Sequence, residues 1–409
     1  MQIELSPITP DEYTAFMQAN FAAFGEHPSD DALSRERLMI EFERTVAAYD
    51  GGRIVGTAGN MSMELTLPGG AHLPTAGLSW VSVLPTHRRQ GILRQMMQAL
   101  LEDARNHGEP IAALMASESS IYGRFGFGIA TSKMDVTLDR RKATFLRSVR
   151  PSGSLRLVDH EEIFAILPNL YERSRRLRPG ALSRSAGWWQ SYLANPPDTR
   201  QNEGPRYNVV YESPSGDVEG AALYRIANTW EEGLASGILT VYDFYDATAK
   251  ARAVLWQYLL SLDLVQTVHA VNRPLDEPLR WMLEEPRLLR TSRVTDNLWL
   301  NLLDVSAALA ARRYAASDRL IFEVTDAFWA GSAGRNELVA SPEGAECKRT
   351  TAEPDLALDA AALGAAYLGG VHFTTLADAG RIFERTPGAC RRADAIFDTG
   401  VVPYCATPF

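Results

Sequence analysis

The stretch from Leu78 to Ala104 constrains the fold more than any other. An apolar run ending in Val81-Ser82-Val83 meets a break at Leu84-Pro85 and then the basic turn Thr86-His87-Arg88-Arg89-Gln90-Gly91. Ile92, Leu93, Met96, Met97, Leu100, Leu101 and Ala104 follow at helical spacing, and the pattern stops before Gly108 and Pro110. A strand, a basic loop and a helix in that order make an α/β unit, with the loop at the amino end of the helix. Backbone N–H groups there converge on an anion, Gly91 permits close backbone approach, and the helix dipole adds a favourable potential. A pyrophosphate suits such a cradle. An isolated Arg-Arg-x-Gly is more often a solvated basic turn, so the surrounding chain has to decide.

Upstream, Thr9-Pro10-Asp11-Glu12 reads as a helix start with Thr9 as N-cap and Glu12 at the third position, followed by Tyr13, Phe16, Met17 and Phe24. Residues 45–83 hold β-rich runs separated by Asp50-Gly51-Gly52 and Pro68-Gly69-Gly70, the pattern of an antiparallel meander. Residues 111–116 predict a short strand, and 132–138 another after the glycine-rich 122–128. The Arg-rich stretch 139–150 and Pro151-Ser152-Gly153 mark a boundary. A second α/β segment follows, in which 237–242 and 247–262 repeat the strand-loop-helix cadence. Its connection, Asp243-Phe244-Tyr245-Asp246, reads as an acidic loop without glycine that cannot cradle phosphate. From about Asp318 a third unit begins with Leu320-Ile321-Phe322-Glu323-Val324 and continues to a helical run over 356–368 stopped by Gly369-Gly370. The last nine residues, 401–409, are apolar and carry no charged side chain, so this tail is expected to dock into the body of the protein.

A chain of 409 residues exceeds what one core usually holds, which agrees with several domains. No window approaches about 18 uninterrupted apolar residues, and MQIELSPITPDEY has neither a basic nor an apolar leader segment; a cytoplasmic protein without membrane attachment is expected. Cys347, Cys390 and Cys405 are odd in number and widely spaced, against both a disulfide framework and a zinc knuckle. The net charge of −9 disfavours nucleic acid, whose phosphates need clustered Lys and Arg, and suits a cationic partner. The seven His residues show no HxxxH or HExxH spacing and there is no GxSxG elbow, so neither a metal nor a serine-hydrolase site is expected. Gly123–Gly128 is GxxGxG, outside any βαβ unit, and is no dinucleotide fingerprint.

With these residues in view, the run Val81 to Arg94 resembles the coenzyme-A loop of the GNAT superfamily of N-acetyltransferases, R/Q-x-x-G-x-G/A after a strand. Leu93 stands where that motif usually has a small residue. The longer run 75–89, together with 117–128, is similar to the Eis (enhanced intracellular survival) branch of that superfamily, and the resemblance extends to length and three-part organisation. It implies an α/β and α+β chain: a catalytic GNAT N-acetyltransferase domain at 1–150, a degenerate GNAT-like domain at 151–305, and a sterol-carrier-protein-like domain at 306–409.

The resemblance also implies roles. Val81, Ser82 and Val83 would pair by backbone with the pantetheine amides of acetyl-CoA and aim an N–H at the thioester oxygen. Arg88, Arg89, Gln90, Gly91, Ile92, Leu93 and Arg94 would hold the pyrophosphate, with Ser117 and Glu118 as further coenzyme contacts. Tyr122 matches the proton donor to the departing sulfur; a phenol of pKa ~10 is protonated at neutral pH. An alkylammonium substrate needs a base before it can attack. Near the motif, Glu26, Asp30, Asp31 and Glu118 form no recognisable acid-base pair. In the Eis family the base is the chain's own terminal carboxylate, which here belongs to Phe409; desolvation beside an amine would raise its pKa from ~3.5. Ser79, Trp80 and Glu26 would contact the substrate, Glu26 offsetting an acidic lining thinned by Pro408. The expected reaction is direct attack of a primary amine (an aminoglycoside, polyamine or lysine-like molecule) on acetyl-CoA, without metal, in a homohexamer. The alternatives are a non-catalytic lipid or small-ligand carrier working through the C-terminal domain, and an N-acyltransferase acting on proteins or using a longer acyl donor.

Overall fold

The computed structural model describes residues 3–147, 152–194 and 203–409. The chain divides into two compact units, one built from Met1–Thr131, Arg178–Ser191 and Asp296–Phe409, the other from Ser132–Leu177 and Tyr192–Thr295.

The first unit opens with strand β1 (Glu4–Ser6), helix α1 (Tyr13–Ala23) and helix α2 (Asp30–Glu36). Helix α1 starts at Tyr13 rather than just after Thr9. Residues 9–12 close a tighter turn, Glu12 N–H to Thr9 O at 3.1 Å, and the Glu12 carboxylate reaches back to the Thr9 N–H at 2.8 Å. Only the Glu12 half of the expected capping box forms: the Thr9 hydroxyl donates to the Glu12 carboxylate at 2.9 Å instead of capping the helix, and the N-cap is Glu12, which makes no side-chain cap bond. The strands β2 (Thr45–Asp50), β3 (Arg53–Thr66) and β4 (His72–Val83) form the antiparallel meander read from the sequence. Helix α3 (Ile92–Asn106) then crosses to β5 (Ile111–Met115), which runs parallel to β4. The stripe Ile92, Met96, Met97, Leu100, Leu101 and Ala104 is buried against one face of this sheet. The short helix α4 (Ser119–Tyr122) and strand β6 (Gly128–Ile129) complete the segment.

Two strands exchange sheets. Leu298–Leu302, from late in the sequence, inserts between β5 and β6, pairing Leu298 with Met115 and Trp299 with Ile129. Ser132–Asp139, close to β6 in sequence, instead pairs in the second unit, antiparallel to Val265–Arg273. An apolar alternation marks a strand but does not specify its partner, so this exchange has no signature in the sequence.

The same unit holds a five-stranded sheet that includes Asp318–Thr325 and Leu356–Asp359. The apolar run 356–368 is not one helix: its first four residues pair in parallel with Asp318–Thr325, and a helix, Ala360–Ala366, begins only where the Asp359 carboxylate accepts from the Ala362 N–H at 2.7 Å. Short apolar runs suit strand and helix alike, and the N-cap sets the boundary. This helix lies directly on the exchanged strand, since a Cβ on Gly364 would come within 2.2 Å of the Leu300 carbonyl oxygen. The interior is filled by Phe322, Phe373 and Phe397 and by Arg312, 1% exposed, whose guanidinium lies 4.3 Å from the Phe397 ring and donates to the Phe397 and Tyr367 carbonyls.

In the second unit, Gly237–Asp246, helix Ala249–Leu259 and Val265–Arg273 repeat the parallel strand-helix-strand arrangement of β4, α3 and β5. Asp243 to Asp246, read from the sequence as a loop, are the paired end of the strand. Part of the Arg-rich boundary, 148–151, lies outside the described residues. Among the described residues no helix is long and apolar enough to cross a membrane. Cys347, Cys390 and Cys405 are free thiols.

Candidate active site

Strands β4 and β5 pair only from Thr75 opposite Ile111 to Leu78 opposite Leu114. Beyond that point β4 runs on to Val83 while β5 ends at Met115, so the two strands part and, among the described residues, the β5-facing edge of Val81, Ser82 and Val83 has no ladder partner. β4 bulges at the parting: Ser79 pairs with Gly59 and Ser82 with Thr57, leaving one extra residue on β4. Trp80 sits in the bulge at φ 54°, a conformation an aromatic residue adopts only when neighbours impose it. Its carbonyl accepts from the Thr57 hydroxyl at 2.7 Å and the Asn20 amide at 2.9 Å, and its indole N–H donates to Glu36 at 2.9 Å. Burial pushes the Glu36 carboxyl upward while that indole bond pulls it back.

The loop after β4 contains two left-handed residues, Arg89 at φ 62° and Gly91 at φ 83°. Gly91 is the N-cap of α3 and supplies no side chain to its first turn. A turn of this kind points successive N–H groups at one place, and the uncapped helix end adds its dipole. Arg88 is tied back, its guanidinium donating to Val83 O at 3.1 Å and Ala23 O at 2.8 Å, and the Gln90 amide folds onto Thr86 O at 3.4 Å. Arg88 therefore braces the loop. Arg94 lies 4.9 Å over the ring of Phe328, which is contributed by the C-terminal part of the chain and packs edge-on to Phe125 at 4.8 Å.

These elements enclose a cleft of about 560 Å³. Its lining includes Val81, Ser82, Val83, Arg88, Arg89, Gly91, Ile92, Leu93, Arg94, Ser117, Glu118 and Tyr122. Tyr122 ends α4 and is 5% exposed. Burial raises its phenol above the ordinary value, a Ser117 hydrogen bond lowers it, and the nearby Glu118 charge raises it further. The cleft also takes in Ala23, Phe24, His87, Ile121, Arg124 and Phe125, which sequence reading missed. Asn20 was missed as well, although an amide among Phe16, Met17 and Tyr13 on a buried helix face was a visible signal.

Gln90, Ser79, Trp80, Glu26 and Phe409 are not in that lining. Glu26 is exposed just after α1. The Phe409 ring rests on β4, so that a Cβ added to Gly77 would meet two of its carbons at 3.2 and 3.3 Å. Among the described residues no group of three or more His, Cys, Asp or Glu could hold a metal.

Comparison with known proteins agrees with this architecture. Residues 4–130 and 180–302 each match an acetyltransferase (GNAT) domain family, and 305–406 match a sterol carrier protein domain family. An uncharacterized N-acetyltransferase of Streptomyces avermitilis is 36% identical over 99% of both chains. N-acetyltransferase Eis of Mycobacterium tuberculosis is 34% identical over the full length of both. Among solved structures, Eis1 from Mycobacterium abscessus superposes with a TM-score of 0.88 at 34% identity, covering both chains completely. A GCN5-related N-acetyltransferase from Anabaena variabilis has the same fold, with a TM-score of 0.86 at 20% identity.

Proposed function

The chain belongs to the Eis family of GNAT N-acetyltransferases, and from that premise we propose that its cleft binds acetyl-CoA and passes the acetyl group to a primary amine of a small molecule. The observation that carries this reading is the meeting, in one cleft, of an uncapped left-handed turn and an unpaired strand edge, with a buried phenol in the wall. The turn is shaped for a pyrophosphate and the edge for a chain of amides, the two recognition elements of coenzyme A.

Bound acetyl-CoA supplies an acetyl group activated as a thioester. Arg89 and the N–H groups at the start of α3 hold the phosphates, with Arg94 beside them. The free edge of Val81 to Val83 orients the amides and offers N–H groups to the carbonyl oxygen as it gains charge. Ser117 and Glu118 border the same channel. The Tyr122 hydroxyl holds a proton for the leaving sulfur, and its raised pKa keeps that proton in place throughout the neutral range. The Phe409 carboxylate takes the proton from the incoming ammonium group. A net charge of −9 favours cationic substrates such as aminoglycosides, polyamines or lysine-like amines. The enzyme acts in the cytoplasm as a homohexamer. The carrier reading is disfavoured by the C-terminal interior, which is filled by aromatic rings and the Arg312 side chain.

The test is thiol release from acetyl-CoA and from longer thioesters across an amine panel, for the natural protein and Tyr122→Phe. Acetyl-CoA is expected to be the preferred donor. Tyr122→Phe is expected to lower kcat by roughly 10²–10⁴-fold while calorimetric coenzyme binding is unchanged. Since the phenol titrates above its ordinary ~10, no Tyr122-linked loss of activity should occur below about pH 10. Full turnover by Tyr122→Phe with a chemistry-limited substrate would refute the assignment.

A further inference from the structure

A carboxylate on the last residue of a chain is badly placed for catalysis unless something holds it. Each freely rotating backbone residue carries about 1–2 kcal/mol of conformational entropy, and a frayed end samples many positions. This terminus is not frayed. Hydrogen bonds hold Val402, Tyr404, Cys405, Ala406, Thr407 and Pro408. Arg178 donates to Val402 O at 2.8 Å, Tyr404 N–H to Pro179 O at 2.9 Å, and the Asn297 amide to Cys405 O at 2.6 Å. The Arg184 guanidinium donates to Ala406 O at 3.0 Å and to the Thr407 hydroxyl at 2.9 Å, and the Trp188 indole N–H to Pro408 O at 2.8 Å.

The segment that makes most of these bonds is itself fastened to the sheet that carries the cleft. Thr66 N–H donates to Ala181 O, Gly180 N–H to Thr66 O, and Ser183 N–H to Glu64 O, at 2.8 to 2.9 Å, and all three acceptor or donor partners on the sheet belong to β3. β3 pairs with β4, against which the Phe409 ring rests at Gly77. The tail is thus held between β4 and a segment anchored to β3.

We propose that Arg184 and Trp188 are positioning residues that fix the terminal carboxylate. The inference rests on the reading of that carboxylate as the general base. Arg184 is 8% exposed and lies 4.1 Å over the Trp188 ring and 4.7 Å over the Trp189 ring, so the two donors are rigid with respect to each other. The bond to Pro408 O fixes the last peptide plane of the chain. Proline fixes its own φ near −65° and restricts Thr407 to extended conformations. After these constraints, only the two backbone torsions of Phe409 remain to swing the carboxylate, and the seating of its ring on β4 limits both. Pro408, which in the sequence registers only as a missing acid, has a mechanical role.

The experiment uses the full-length enzyme with two alterations: Trp188→Phe, which removes the N–H and keeps a ring, and semisynthetic amidation of Phe409. Trp188→Phe is expected to lower kcat by roughly tenfold, because misplacing a reacting group by 1 Å can lose 10²-fold, with KM for acetyl-CoA within about twofold of normal. In the amidated protein the same substitution should have no further effect on kcat. Thr407→Val, which removes one Arg184 bond at nearly constant volume, should repeat the pattern if Trp188→Phe folds poorly. A normal kcat in both variants, with amidation still abolishing turnover, overturns the clamp and leaves the base assignment standing. Equal losses in native and amidated backgrounds also overturn it, since the residues would then be merely structural. A fully active amidated enzyme overturns the base assignment and the clamp together.

Discussion

Replacing Gly364 with alanine separates two predictions of opposite sign. In a solvent-exposed helix interior, Gly→Ala stabilises by about 0.8–1.0 kcal/mol through backbone entropy. Gly364 is not in that situation. An added Cβ would stand 2.2 Å from Leu300 O and 3.1 Å from its carbonyl carbon, where ordinary contact begins at 3.4 Å. The obstacle is backbone, part of the exchanged strand between β5 and β6, and cannot rotate away as a side chain would. Helix and strand must therefore separate by roughly 1 Å, in a region packed at crystal-like density. Overpacking of this kind costs typically 1–3 kcal/mol, and a backbone clash belongs at about the upper end. Subtracting the helix-propensity gain leaves about 2 kcal/mol of net destabilisation, a fall in Tm of roughly 4–8 °C at about 2–4 °C per kcal/mol for a large unit. Thermal unfolding followed by circular dichroism reads this directly. Gly344→Ala is the control, because its Cβ would meet nothing within 4 Å and its melting point should not move. An unchanged or raised Tm for Gly364→Ala would refute the close approach of this helix to the sheet.

Two further outcomes concern the cleft. Arg89→Glu should weaken calorimetric coenzyme-A binding by about 10–100-fold, the equivalent of one charged hydrogen bond of roughly 1.5–3 kcal/mol, with the amine KM little changed; unaltered binding would remove Arg89 from the phosphate site. Phe328→Leu should weaken coenzyme binding by about twofold to thirtyfold through loss of a cation–π contact of roughly 0.5–2 kcal/mol, and this effect should vanish in an Arg94→Met background; an equal loss in both backgrounds would mean that Phe328 does not act through Arg94.

The parts of the site that the sequence disclosed are local in the chain. Val81 to Arg94 announces its strand, turn and helix through spacing and composition alone, and the glycine at 91 marks the position where the backbone must become left-handed. What stayed hidden depends on partners distant in sequence. The Asn20 amide donates to the Thr57 hydroxyl at 3.1 Å and both side chains donate to the carbonyl of Trp80, residues far apart in the sequence, and nothing near Glu36 signals that its carboxylate will accept from that indole. Phe328 is one aromatic residue in an ordinary strand-loop stretch until the fold brings it over Arg94. Arg88 lines the cleft but is also held from behind. In sequence it is indistinguishable from Arg89 as a phosphate ligand, yet its guanidinium is engaged by Val83 and Ala23 carbonyls.

The two strand-helix-strand repeats show why the same scaffold suits a coenzyme in one place and not in the other. Both bulge at the same point, since Gly237–Asp246 gains an extra residue where Asp243 pairs with Leu223 and Val241 with Tyr224, as β4 does at Trp80. Both then diverge from their parallel neighbour, because Val241 opposite Ala270 is the last pair of the second repeat. In the first repeat the divergence opens into the cleft. In the second, Arg273 lies 4.8 Å over the Phe244 ring across the diverging ends, and Phe244 stacks at 4.8 Å on Trp256. Glu277 closes the cluster, bound to Arg273 at 2.6 Å and to the Trp256 indole at 3.2 Å. Removing one partner of such a buried ion pair costs about 3–5 kcal/mol, so the filled opening is held firmly shut. The helix end differs too. Thr248 caps Ala249–Leu259 through the Ala251 N–H at 3.1 Å, whereas Gly91 offers the first turn of α3 no side-chain cap. The second repeat caps its helix with its own side chain and fills its own gap; the first has no side-chain cap and an open cleft, and those two differences are the shape of the proposed ligand.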